Sequence, residues 1–96
     1  MSRHVVVRYR TRPDAADENA RLIGNVFSAL DDVKPADFSY TAYRLADGVT
    51  FVHVAQHGQD NPLAALPAFA EFQRELPGRC TEQPAASEAQ VVGSYS

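Results

Sequence analysis

The dipeptide Asp47-Gly48 sits between two apolar-rich stretches, residues 37–45 and 49–56, and it limits what this chain can fold into. Asp-Gly in such a setting signals a tight hairpin, because both central residues of a primed turn take positive φ. Each strand of the hairpin is joined in turn to a helix-like segment. Reading outward gives strand, helix, strand, strand, helix, strand over 96 residues, the split βαβ repeat of an α+β domain.

A two-residue loop sets the register. Ala46 then faces Val49, Tyr43 opposes Val52 and Thr41 opposes Val54 on one face of the sheet. On the other face Arg44 opposes Phe51, Ala42 opposes His53 and Tyr40 opposes Ala55. The first strand, residues 3–10, is rich in β-branched residues and puts Val5, Val7 and Tyr9 opposite His4, Val6, Arg8 and Arg10. After a turn at 11–13, Asp14 is expected to cap a helix that carries Asp17 and Glu18 in its first turn. Ala16, Ala20, Ile23, Phe27 and Leu30 recur at steps of four and three, with Leu22, Val26, Ala29 and Val33 widening the stripe; Pro35 stops it.

Asn61-Pro62 opens the second helical segment. Pro67 divides it into a short turn over 62–66 and a helix to about residue 76, since proline cannot donate to the helix ladder. Leu66, Phe69, Phe72, Gln73 and Leu76 fall near one face, and Pro77-Gly78 is expected to end the helix. Residues 79–88 are polar and loop-like, and 89–95 are expected to form the last strand. The whole chain, 1–96, is expected to be one domain with a four-stranded antiparallel sheet and ferredoxin-like order.

Both faces of such a sheet carry apolar residues here: Phe51 and Ala55 on one, Val52 and Val54 on the other. The helices cover one face only. An uncovered apolar face exceeds what soluble monomers usually show, so a two-fold homodimer through the open face is the expected partner arrangement. The net charge of −3 and pI near 5.5 disfavour nucleic acid and anionic membranes, which need concentrated positive charge. The single cysteine, Cys80, cannot staple a fold, and the N-terminal apolar run is too short for a signal peptide; a reduced, cytoplasmic setting is expected.

The stretch Val5-Val6-Val7-Arg8-Tyr9-Arg10-Thr11-Arg12-Pro13, the run Asp47-Gly48-Val49-Thr50-Phe51-Val52-His53-Val54 and the start Asn61-Pro62-Leu63 carry a resemblance. The chain resembles the dimeric α/β-barrel superfamily, and within it the antibiotic biosynthesis monooxygenase-like domains. The resemblance implies a homodimer with facing sheets and a small-molecule cavity between sheet and helices. It implies cofactor-independent oxygenation of aromatic, polyketide-like molecules as one activity. Haem-degrading members use a tryptophan beside asparagine and histidine; this chain has no tryptophan, and its second helix has no histidine.

The candidate chemistry lies on the hairpin. His53 shares a face with Ala42, with Tyr40 and Arg44 as diagonal neighbours. Ala42 and Ala55 are small and leave room above the sheet. His53 is the expected base, removing a proton from a phenol or activated C–H, while Tyr40 or Arg44 stabilises the anion. Tyr9 and Asn25 are candidates to bind the ligand. No cofactor and no metal are expected. His53 and His57 share strand parity, but four residues of strand span ~13 Å, too far for one ion. Gly24, in mid-helix, reads either as close helix–sheet packing or as room for a ligand. Residues 47–54 loosely echo an RNA-recognition strand, but Asp47, Val49 and Val54 stand where basic and aromatic residues belong. A non-catalytic homodimer that binds a small molecule or assembles with partners is the alternative function.

Overall fold

A computed structural model describes residues 3–96. β1 (Arg3–Thr11) leads through a 3-10 turn into α1 (Ala16–Val33), and β2 (Phe38–Arg44) and β3 (Thr50–His57) form the hairpin. A 3-10 turn at Pro62–Ala65, α2 (Pro67–Arg74), a single helical turn α3 (Leu76–Arg79) and β4 (Cys80–Ala89) follow. The sheet is antiparallel in the order β2-β3-β1-β4, so the fold is α+β and ferredoxin-like, as the element order requires.

The sheet's alternation decides what is buried. Tyr9 and Phe51 join Ala16, Leu22, Ile23 and Val26 of α1, and Leu66, Phe72 and Leu76 from the second helical segment, in one core. The helices therefore cover the face of Val5, Val7 and Tyr9. Val6, Val52 and Val54 lie on the face without helices, beside Tyr43, which is 52% exposed.

The hairpin register is the expected one at every pair from Tyr40–Ala55 to Arg44–Phe51. The turn is not. The Gly48 amide donates to the Leu45 carbonyl, so Ala46 and Asp47 occupy its centre, and only Gly48 takes positive φ, at 79°. The loop runs over four residues and keeps the parity of a two-residue one. Asp47 holds it by its side chain, accepting from the amides of Val49 and Thr50 at 3.0 and 2.8 Å and from the Thr50 hydroxyl at 2.5 Å. Those bonds hold its carboxyl down, at about 2.

Other expectations need correction. Asp14 lies inside the 3-10 turn Pro13–Ala15 and does not cap α1, whose N-cap is Ala15. Val33 is exposed, beyond the reach of the sheet. Pro77 and Gly78 do not end helical structure; they sit within α3, where a proline near the first position loses no helix bond. Gly24 has open space around it, so neither tight packing nor a ligand explains it.

The last strand is β4 over Cys80–Ala89, and residues 90–96 carry no regular structure. β4 is an edge strand, mostly exposed, so it needs no alternation of apolar residues. Its pairing with β1 slips between Arg8–Ala85 and Arg10–Glu82. Pro84 lies in that bulge, where its missing N–H breaks no ladder bond.

Candidate functional site

Three strands and two helical segments converge on His53. It sits in mid-β3 on the helix-covered face, paired with Val7 on one side and Ala42 on the other. Tyr9 pairs with Phe51, two residues before His53; Tyr40 pairs with Ala55, two residues after. The two phenols therefore reach the imidazole from opposite diagonals. The Tyr9 hydroxyl lies 2.8 Å from Nε2 and the Tyr40 hydroxyl 2.5 Å from Nδ1. The Phe72 ring stacks 5.6 Å from the imidazole, and Phe27 stacks 5.2 Å from Tyr40.

The hydrogen bonding runs on behind Tyr9. Asn19 of α1, fully buried, donates from Nδ2 to the Tyr9 oxygen at 2.9 Å. Its Oδ1 accepts from Arg79 Nε at 3.1 Å, and Arg79 also donates to the Phe72 carbonyl at 2.7 Å. The guanidinium lies over the Phe72 ring, 5.5 Å from its centre. Among the described residues no buried side-chain nitrogen or oxygen lacks a partner.

Burial sets the charge state. It pushes His53 down to about 4 and Tyr40 up to about 12, and it raises Tyr9 as well. At neutral pH the imidazole and both phenols are uncharged, and Arg79 carries the only formal charge in the chain of bonds.

Tyr9, Tyr40 and His53 border a cavity of about 280 Å³. Val5, Val7, Ala55, Leu63, Phe69 and Leu76 make its apolar walls. Tyr40, His53, His57, Asn61 and Gln73 bring polar groups to it, and Tyr9 borders it with its hydroxyl buried. His57 Nδ1 donates to the Gly58 carbonyl at 2.9 Å, because a carbonyl can only accept; among the described residues its Nε2 has no hydrogen-bond partner. The cavity is mostly apolar with a few polar groups at its edge.

Of the residues expected at the site, Tyr9, Tyr40, His53 and Ala55 come together here. Ala42 pairs with His53 but packs against the core and does not border the cavity. Arg44 turns away: it donates to the Gly48 carbonyl at 2.8 Å, pairs with Asp17 at 3.1 Å and lies over Phe51. Asn25 is exposed on the outer side of α1. Sequence reasoning missed Asn19, Arg79 and the placement of His57. Asn19 was detectable as a polar residue three positions after Ala16 and four before Ile23, inside the apolar stripe. Arg79 had no such signal, because its contact depends on the turn α3.

No protein-family model matches the chain, and no curated protein matches it in sequence. Solved structures do match in shape. Rv0793 from Mycobacterium tuberculosis superposes with a TM-score of 0.75 at 19% identity, covering 100% of both chains. A provisionally named antibiotic biosynthesis monooxygenase from Bacteroides thetaiotaomicron superposes at 0.80 and 8% identity, over 95% of this chain and 90% of that one. SnoaB, a cofactor-independent oxygenase from Streptomyces nogalater, seen as a point mutant, superposes at 0.65 and 17% identity, over 97% and 98%. The chain thus has the ferredoxin-like fold of the antibiotic biosynthesis monooxygenase-like proteins, a kinship of architecture at these identities.

Proposed function

We propose that this protein is a cofactor-independent monooxygenase of hydroxylated aromatic molecules, acting as a homodimer. The observation that carries the reading is His53 held between two phenols at the edge of an apolar cavity. A methylene activated by adjacent phenol rings is the fitting substrate. Its proton goes to the free His57 Nε2, and the Tyr40 hydroxyl, backed by His53, steadies the oxyanion. The anion reduces dioxygen and forms a peroxide at that carbon. Loss of water then leaves a carbonyl: the methylene and one dioxygen become a ketone and one water, with no other reductant. In this reading His53 acts through Tyr40, since both of its nitrogens are already engaged.

The open face of the sheet supports the second half of the proposal. Val6, Val52 and Val54 lie together there, with Tyr43 at the margin, and a second copy would cover them. Oxygen uptake with a series of hydroxylated tricyclic aromatics tests the activity. Wild-type protein should consume oxygen, and His53→Ala should lose at least ~10²-fold in turnover while keeping its circular dichroism. Ligand binding without uptake by wild-type protein would favour a non-catalytic binding module, and unchanged turnover in His53→Ala would remove His53 from the chemistry.

A further inference from the structure

We infer that Arg79 and Asn19 are positioning residues that fix the direction of every hydrogen bond through His53, so that Tyr40 presents a hydrogen-bond donor to the cavity. The inference rests on the reading that Tyr40 is the group that meets the ligand.

The direction follows from what each group is able to give. A guanidinium only donates, so the Asn19 atom facing Arg79 is the carbonyl oxygen. The other end of the amide, Nδ2, then faces Tyr9 and donates to its oxygen. With that oxygen occupied as an acceptor, the Tyr9 hydrogen is free to go to His53 Nε2. A neutral imidazole has one N–H, so with Nε2 accepting the hydrogen sits on Nδ1. Nδ1–H donates to the Tyr40 oxygen. The Tyr40 hydrogen has no acceptor among the described residues, and Tyr40 borders the cavity.

The opposite direction fails on the same inventory. An Nε2–H would point at a Tyr9 oxygen already taking a bond from Asn19. The Tyr9 hydrogen would then be buried without an acceptor, an arrangement that the first direction avoids. Arg79, reaching the site from the end of α3, thus decides the tautomer of an imidazole three bonds away along the network. The cavity favours a ligand with an acceptor oxygen, a ketone or phenolate, at Tyr40. A ligand that can only donate there meets a donor.

Imidazole nitrogen NMR on ¹⁵N-labelled protein at neutral pH reads the tautomer directly and needs no substrate. Wild-type His53 should be the Nδ1–H form in roughly tenfold or greater excess, the ratio that one ~1.4 kcal/mol preference gives. Asn19→Asp supplies a carboxylate that only accepts. The Tyr9 hydrogen should turn to it, and the tautomer should invert to Nε2–H. Arg79→Met frees the amide to rotate and should give a mixture of both forms. An Nε2–H wild type overturns the inference, as does a folded Asn19→Asp or Arg79→Met protein with its Nδ1–H form unchanged. Should Asn19→Asp fail to fold, the wild-type tautomer and Arg79→Met still decide. Failure here leaves oxygen uptake untouched, and absence of oxygen uptake leaves the tautomer measurement standing.

Discussion

The two faces of this sheet differ most near their middle. The face under the helices holds Tyr9, His53 and Tyr40 near its middle, linked to Asn19 and Arg79. The face without helices has Val6, Val52 and Val54 there. A bonded polar group is under cover within the apolar core, while three half-buried valines on the other face are not under helices. Burying five polar groups costs free energy unless each finds partners, and here each does. The half-buried valines forgo ~25 cal/mol for each Å² of them still in water that cover would remove. In the proposed function the covered face serves ligand chemistry and the open one serves association.

Two experiments strain that contrast, and a third checks it from outside both faces. The largest effect is expected from Val54→Asp. If two copies meet through the open face, a carboxylate there would be buried without a partner, weakening association by at least ~10²-fold. Light scattering should give twice the 10.5 kDa chain mass for the wild type and the chain mass for the variant. A wild-type monomer would end the case for the open face.

Next comes acid. Burial holds folded His53 at about 4, below the ordinary value of about 6.5. Between those values the unfolded chain binds a proton that the native one refuses. Stability should therefore fall as pH drops from about 6.5 to about 4, by an amount on the order of 3 kcal/mol, and level off below. Urea unfolding across that range, compared with His53→Gln, isolates the contribution; identical slopes in the two proteins would mean that His53 is not held neutral by its surroundings.

The smallest effect belongs to neither face. Gly24 lies on the outer side of α1 with nothing near a new Cβ. Gly24→Ala should stabilise the fold by about 0.5–1 kcal/mol, seen as a raised urea midpoint. A loss of stability would show that α1 has a contact on its outer side.

Much of the architecture could be read from the residues, for identifiable reasons. The β2–β3 register survived a wrong turn type because a four-residue loop keeps the parity of a two-residue one. The α1 stripe was legible because burial imposes its period, although Val33 runs past the sheet. β4 was not legible: an exposed edge strand puts no demand on alternate residues, and Pro84 hides in a bulge. At the site, strand parity located His53, Tyr9, Tyr40 and Ala55 together. It located Arg44 wrongly, because parity fixes where a Cβ starts and not where a long side chain ends. Asn25 was expected to bind the ligand, whereas helical phase turns it outward and points Asn19 toward the sheet.

The turn that closes the hairpin also bears on how the molecule ages. Among aspartyl dipeptides Asp-Gly is the most prone to cyclise into a succinimide, a reaction in which the following amide nitrogen attacks the aspartic carboxyl. Here the Gly48 nitrogen is engaged with the Leu45 carbonyl at 2.9 Å. The Asp47 carboxyl is ionised, hence a poor electrophile, and is tethered by two amides and a hydroxyl. Folding withdraws both reactants, so the bonds that shape the loop also protect its most perishable covalent link.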